Sequence, residues 1–540
     1  MEFIWKLIEI LKPKFPEIRE NNFQFPSEFG DIACNICFEE AKKKNINPKK
    51  LAEEIALRIE LPKEFEKVEA ANGYLNFYLN YKEILDHIFK IKIKKFGKGK
   101  VMIEFSHPNP CKAMHLGNAR TTLLGESLSR ILDYVGYNVI KANYYNDLGK
   151  QVAKEIIAFN KYELKKDKKI DHELAEIYSK LHEEERDLDD KAQDVLRGLE
   201  IEGRYKNIWK KIVNYAIEGF NETYKKLKID FDVVFFESDF REEGKKFGEL
   251  LLKKGLAYSE DKAIIVDLEK FNLPKAVIIK KDGTGLYITA DLALTVYKFE
   301  RFNLSKSIWI VSQEQSTYFK QLFKILELLG YKWYKDCIHV NYGIITYQGS
   351  KMSSRSGRYI LLDNLIDELI KKAKQEIKKR KMENIKILDV AEKIALGALK
   401  YEILKVDRNK TIDFNPDKAI SFEGNTGPYL QYMVVRCNSI LRKIGELKIE
   451  KIKKVNEYEK NLLRKFLEFP IVVERCCTQL KPNLICNYAY ELATTFSKFY
   501  ENCRVIGSNK EFFRVNLVKK TKEILEICLN LLGIEAPERM

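Results

Sequence analysis

The chain has 540 residues, too many for a single hydrophobic core, which predicts roughly two to four domains. Its 95 Lys and Arg exceed its 79 Asp and Glu to give a formal net charge of +16, a balance that suits a polyanionic partner but does not identify one. There is no run of about 18 apolar residues, Glu2 and Glu9 interrupt the apolar pattern of the first segment, and the ten Cys lack zinc-finger spacing; these features predict no membrane span, no secretory signal, no protein-bound structural metal and a cytoplasmic location with reduced, mostly buried thiols.

In chain order, residues 1–80 read as a small α/β unit: an amphipathic helix at 3–11, helical patterns at 32–44 and 48–58, and an alternating strand at 73–79. The basic stretch KIKKFGKGK at 92–100 reads as a connector, so a boundary is expected near residue 95. A short apolar strand at 101–105 follows, then a loop holding Pro108, Pro110 and a His115–Leu116–Gly117–Asn118 turn. From about Thr121 the spacing of Leu124, Leu128, Ile131, Leu132 and Val135 predicts a helix, closed by Gly136 at the C′ position, and 138–144 reads as a second strand. The result is a βαβ unit in which a glycine beside a helix N-terminus lets phosphate approach bare N–H groups.

Residues 162–230 are dense in charge and helical in period, with Leu174, Ile177, Tyr178 and Leu181 and then Ile208, Ile212 and Ala216, and they interrupt the fold between its halves. Strand candidates at 233–237, 263–267, 276–280, 307–311 and 338–342 among helices predict a doubly wound sheet. GSKMSSRSG at 349–357 is a basic, hydroxyl-rich loop of the kind that can clamp a triphosphate. From about Leu388 the pattern is helical: Ala391, Ile394, Ala395 and Leu399 face one way, 402–410 ends that helix, and segments 430–444, 457–480, 484–505 and 512–532 predict a bundle.

Together, HLGN at 115–118 and KMSSR at 351–355 resemble the HIGH and KMSKS signatures of class I aminoacyl-tRNA synthetases. The match narrows: EFSHPNPCKAMHLGNAR at 104–120 is similar to the ATP-site segment of arginyl-tRNA synthetases, SFEGNTGPYLQYMVVR at 421–436 to the start of their anticodon-binding domain, and IEAPERM at 534–540 to their C-terminus. The resemblance implies a Rossmann-type catalytic core at 96–385 with a helical insertion at about 160–230, a small additional tRNA-binding domain at 1–95 and an all-α anticodon-binding domain at 386–540. It implies a ligase that activates L-arginine with ATP and Mg2+ and transfers it to tRNA(Arg), acting as a monomer and needing tRNA even for adenylate formation. The insertion looks too short for an editing domain, and arginine's planar cation is easily discriminated without one.

A selective guanidinium site needs carboxylates placed for bidentate pairing and an aromatic plane over them. Glu104 in an apolar strand and Asp291 in GLYITADLALTVY are candidates, with an N-cap role the other reading of Asp291. By resemblance the substrate contacts fall on Glu104, Ser106, Asn109, Tyr287, Asp291 and Gln315, with Gln313 as a near-equal alternative and Tyr318 where the family usually has His. The ATP site falls on His115, Gly117, Asn118, Lys351, Met352, Ser353 and Ser354. Two departures matter: the second His of HIGH is Asn118, and the lysine at the fourth position of KMSKS is Ser354, so Lys112 is expected to supply the missing cation with Lys351 and Arg355 in support. For tRNA the resemblance points to Asn72, Tyr74 and Asn76 in NGYLN and to Tyr429, Tyr432, Arg436 and Met540. Two alternatives stand beside this reading, another class I synthetase and a catalytically idle tRNA-binding paralogue.

Overall fold

The structure, a computed structural model, describes every residue except 1, 26–28, 186–187, 352–358, 381, 383–385 and 446–453, with the backbone alone for Glu2 and Lys351. The first unit runs α1 (Glu2–Leu11), β1 (Phe23–Gln24), β2 (Ile32–Cys34), α2 (Ile36–Lys44), α3 (Pro48–Arg58), β3 (Phe65–Ala71), β4 (Tyr74–Leu79) and α4 (Tyr81–Phe89). Its sheet has the order β1-β2-β4-β3 and is antiparallel throughout. Asn47 accepts from Lys49 N and Pro48 opens α3, an N-terminus built as the sequence suggests. The helix expected at 32–44 begins only at Ile36, because Ile32–Cys34 pairs with β4 as a fully buried strand. Asn72 and Gly73, with φ of +50° and +88°, make the tight turn joining β3 to β4.

The second unit begins with β5 (Lys100–Glu104), α5 (Leu116–Tyr134), β6 (Asn138–Tyr145) and α6 (Lys150–Lys161). The insertion follows as α7 (Ile170–Glu184), α8 (Asp189–Glu200) and α9 (Lys206–Leu227). The chain then resumes with β7 (Val233–Phe236), α10 (Glu237–Lys253), β8 (Tyr258–Glu260), β9 (Ala263–Val266), β10 (Ala276–Ile279), α11 (Tyr287–Phe302), β11 (Lys306–Ser312), α12 (Ser316–Leu329) and β12 (Cys337–Tyr342). A parallel sheet of order β12-β11-β5-β6-β7 places β5 at its centre, with chain connections leaving toward β6 on one side and β11 on the other. The C-terminal end of β5 is therefore the switch point where an open α/β sheet leaves a crevice. Two expected strands lie elsewhere: β9 and β10 form a separate antiparallel sheet with β8, whose short strands carry no helical crossover between them.

The last unit comprises β13 (Ile345–Tyr347), β14 (Ser350–Lys351), α13 (Leu362–Lys379), α14 (Ile387–Leu404), β15 (Ile412–Phe414), α15 (Pro416–Ala419), α16 (Gly427–Leu441), α17 (Glu457–Gln479), α18 (Asn483–Asn502) and α19 (Glu511–Leu531). β13 pairs in parallel with β15 and antiparallel with β14, which ties the start of the basic loop to the helical unit. The units dock through buried polar contacts as well as apolar packing. Arg120 of α5 donates to the carbonyls of Asp407 at 3.2 Å and Arg408 at 3.1 Å, and Ser127 Oγ to Leu531 O at 2.9 Å. Asp31 of the first unit forms an ion pair with Arg464 of α17 and accepts from Tyr81 Oη at 2.6 Å. All ten cysteines are buried and unpaired.

Candidate active site

The helix expected from Thr121 starts five residues earlier, so the HLGN segment is the first turn of α5 and not a loop before it. His115 is the N-cap: its Nδ1 accepts from Gly117 N at 3.0 Å, while Asn118 Oδ1 accepts from His115 N at 3.1 Å. A Cβ on Gly117 would sit 2.7 Å from His115 Cε1, so only glycine lets the imidazole fold back over the turn. Burial, with the Lys112 charge nearby, pushes the His115 imidazole down to about 4, leaving it neutral near pH 7. Asn118, expected to donate to a phosphate, spends its carbonyl oxygen on the cap and keeps its amide N–H groups for that purpose.

Between β5 and α5 the backbone is strained. Ser106 and His107 have φ of +81° and +48°, a left-handed pair without glycine. His107 N donates to Asn143 Oδ1 at 3.1 Å, and Ser106 Oγ is shared with Thr122 Oγ1 at 2.8 Å and Tyr224 Oη at 2.7 Å. Ser106, expected to touch substrate, is thus almost fully enclosed and bonds inward to the insertion helix α9. Asn109 Oδ1 accepts from Cys111 N at 3.0 Å and its Nδ2 donates to Gln151 Oε1 at 3.1 Å, which fixes the loop carrying Lys112.

Glu104 ends β5 at the switch point and is buried, while Asp291 on α11 is half-buried. Asp291 lies in the second turn of α11, so the N-cap reading is wrong; Leu286 caps that helix. Tyr318 Oη donates to Asp291, and burial pushes its carboxyl up to about 6, with the Glu104 charge adding to the rise and Lys298 opposing it. The expectation that both carboxylates stand open to a guest needs correction at Glu104. Lys298, two turns along α11 from Asp291, forms an ion pair with Glu104 and is 0% exposed. Sequence reasoning passed over Lys298, although a lysine inside the apolar stripe LTVYKF was the available signal. His107 Nε2 and Tyr144 Oη, near this pair, are buried without a hydrogen-bond partner among the described residues.

Tyr287 stands exposed at the start of α11, and Gln313 and Gln315 lie exposed on a short 3-10 turn after β11. The far side of the crevice is closed by residues following the basic loop: Leu116 N donates to Ile360 O and Leu362 N to Met114 O, both at 2.9 Å. Asp363 anchors this crossing to the insertion, accepting from Lys169 Nζ at 2.9 Å, Thr223 Oγ1 at 2.9 Å and His172 Nε2 at 3.3 Å, with Lys226 at 3.0 Å. Burial alone would raise the Asp363 carboxyl, but these donors hold it far below the usual range. Met352, Ser353, Ser354 and Arg355 lie outside the described residues, as does the side chain of Lys351. Among the described residues no cluster of three His, Cys, Asp or Glu side chains could hold a metal ion.

The expected tRNA contacts divide. Asn72 and Tyr74 are exposed at the β3–β4 turn, with Tyr74 packed on Phe38 at a ring separation of 5.0 Å. Asn76 is 3% exposed in mid-strand, opposite Ala33 and Glu69, and is corrected from a surface contact to a core residue. Tyr429, Tyr432, Arg436 and Met540 are half-buried on the helical unit, with Arg436 stacked 4.5 Å over the Tyr500 ring.

Three family models match the chain in order: "Arginyl tRNA synthetase N terminal domain" over residues 6–79, "tRNA synthetases class I (R), catalytic domain" over 80–415, and "DALR anticodon binding domain" over 430–540. The arginine–tRNA ligase of Pediococcus pentosaceus is 35% identical over 534 residues, spanning 95% of this chain and 94% of that protein. That of Halothermothrix orenii is 34% identical over the whole of both chains. Among solved structures, the arginyl-tRNA synthetase of Thermus thermophilus superposes with a TM-score of 0.87 at 26% identity, covering 100% of this chain and 99% of that one.

Proposed function

Since the chain belongs to the class I arginyl-tRNA synthetases, we propose how its side chains divide the work of joining arginine to tRNA. The enzyme is an arginine–tRNA ligase. The arginine carboxylate attacks the α-phosphate of ATP and the bond to the β-phosphate breaks; diphosphate leaves and arginyl-adenylate remains. A terminal ribose hydroxyl of tRNA then attacks the arginyl carbonyl and AMP leaves. The carboxylate attack moves no proton, so the first step is positioning and charge stabilisation; in the second the ribose hydroxyl gives up its proton, which the departing AMP phosphate can accept.

In this reading Asp291 and the open edge of Glu104 take the guanidinium, and Asn109, Tyr287 and Gln315 orient the α-amino and carboxylate ends. His107 Nε2 and Tyr144 Oη, each buried without a hydrogen-bond partner among the described residues, add polar atoms to the same pocket, with His107 Nδ1 4.0 Å from Glu104. His115, Gly117 and the free amide of Asn118 line the nucleotide phosphates at the α5 N-terminus. Lys112, with Lys351 and Arg355, supplies the cationic charge that Ser354 in place of lysine removes; Mg2+ arriving with ATP would add further charge neutralisation for the leaving diphosphate. Asn72 and Tyr74 meet the tRNA elbow, while Tyr429, Tyr432, Arg436 and Met540 meet the anticodon loop. The three-part division at 1–95, 96–385 and 386–540, a monomeric state, a cytoplasmic location and a need for tRNA during activation complete the reading.

The observation that carries it is Asp291: a half-buried carboxylate beside the buried Glu104, with the Tyr318 phenol as its hydrogen-bond donor and no ion-pair partner among the described residues. ATP–pyrophosphate exchange with each standard amino acid, with and without tRNA, is the test. Exchange with arginine and tRNA only is the expected result. Exchange with lysine or glutamate in place of arginine would overturn the pocket assignment, and arginine-driven exchange without tRNA would overturn the tRNA requirement.

A further inference from the structure

Lys298 has the most unusual surroundings of any lysine the site contains. Its ammonium is wholly enclosed, ion-paired to Glu104 and set 4.8 Å from the Trp309 ring centroid and 5.4 Å from that of Phe235. Trp309 pairs directly with Glu104 across β11 and β5, so both the cage and the anion are fixed by sheet register. An enclosed ammonium persists only when its charge is answered, and here a carboxylate and two ring faces answer it.

The groups facing the pocket can be summed by element. From β5 and the turn after it come Glu104 and His107, and burial lowers the His107 imidazole so that it is neutral. From β6 comes Tyr144, from α12 Tyr318 and from β12 Cys337, all raised by burial and neutral. From α10 come Glu237 and Arg241, which pair with each other, and behind them Glu200 of α8 lies 3.6 Å from Arg241 and 3.9 Å from Lys245. From α11 come Asp291 and Lys298. With Glu104 answered by Lys298 and Glu237 by Arg241, Asp291 is the carboxylate among these described groups that has no ion-pair partner.

We propose that Lys298 is a specificity-determining positioning residue: it neutralises Glu104 so that the pocket holds a single surplus anion, matched to one guest monocation, and it holds the Glu104 carboxylate edge toward that guest. This rests on the assignment of Glu104 and Asp291 to the arginine head group. Without Lys298 the two carboxylates would face each other, and like charges at short range hold a proton between them.

The cancelling role predicts a reversal of sign that a mere strut would not produce. K298M alone is expected to raise the arginine KM about tenfold near pH 7 while lowering kcat less than about threefold. That defect is expected to shrink toward about pH 8.5, because Asp291 has lost an opposing charge and titrates higher. K298R is expected to restore the KM to within about threefold. In E104Q the ammonium is left unanswered beside the incoming guanidinium, so adding K298M to E104Q is expected to lower the arginine KM at least about threefold. The measurements are steady-state arginine KM and kcat by exchange with tRNA(Arg) present, across about pH 6 to 9, with circular dichroism of each variant. The double variant removes both charges together, so it reports even where K298M alone fails to fold. A KM unchanged in K298M, a defect equal at every pH, or no improvement on adding K298M to E104Q would each overturn the proposal. D291N separates the two levels of inference: if it leaves the arginine KM unchanged, the head-group assignment falls; if it raises that KM while the sign reversal is absent, only the role of Lys298 falls.

Discussion

Burial lifts the Asp291 carboxyl to about 6, and the sign of two consequences follows. Arginine needs the ionised form, so kcat/KM for arginine is expected to fall as pH drops through about 6 and to level off above 7, measured by exchange at saturating ATP and tRNA. Stability runs the other way. A carboxyl raised above its ordinary value of about 4 binds a proton more readily in the folded chain, so folding is favoured below about 4 and loses that advantage as pH rises through 6. D291N is therefore expected to raise the thermal midpoint of the ligand-free enzyme at pH 7.5, by a free energy on the order of 2 kcal/mol, while abolishing arginine activation. The gain should vanish near pH 4; a midpoint lowered at neutral pH would contradict the account. Of these residues, Asp291 and Glu104 could be read in the sequence because a charge in an apolar run is conspicuous. Lys298 was equally conspicuous but could not be matched to Glu104, 194 positions away, without the sheet that brings them together. Asn76 misled for the opposite reason, since an asparagine in a turn-like motif gives no sign that strand pairing will bury it on both sides.

Among the elements, α5 and β5 are held closer than ordinary side chains allow. A Cβ on Gly125 would lie 2.1 Å from Phe105 Cγ and 2.4 Å from its Cβ, so the helix can lie on the strand's end only where this residue has no side chain. G125A is expected to cost about 1–3 kcal/mol and to shift α5 away from β5, lowering the thermal midpoint and kcat together. G117A, by contrast, meets only the His115 ring; its expected signature is a kcat loss of about tenfold or more with an unchanged thermal midpoint. Long periodic helices such as α9, α17 and α19 were legible because their apolar stripes repeat over five or six turns. The short strands were not. β2 and β15 have three residues each, too few for any period, and β9 and β10 show the same apolar runs whether they join the main sheet or stand apart from it.

At the scale of the whole molecule, a formal charge of +16 predicts that binding of tRNA releases counterions. The tRNA KM is expected to rise on the order of 10- to 100-fold between about 50 and 200 mM salt, whereas the arginine KM, set in an enclosed pocket, moves less than about twofold. Equal slopes for the two substrates would refute the enclosed site. The three-unit organisation was legible from composition shifts and the basic connector, but how the units grip one another was not. Arg120, the last residue of the 104–120 segment, reaches from α5 to the carbonyls just beyond α14, a contact that nothing in the sequence announces.

That grip makes α5 an axle. Its first turn carries the residues proposed to line the nucleotide phosphates, its side holds the α14 terminus through Arg120, and its fourth turn is pinned by Ser127 to the last helix of the chain, all within a rod about 28 Å long. With no joint between those fixings, a tRNA seated on the helical bundle would bear on His115 as a tilt of the whole rod, a mechanical basis for the proposed need for tRNA before the first step.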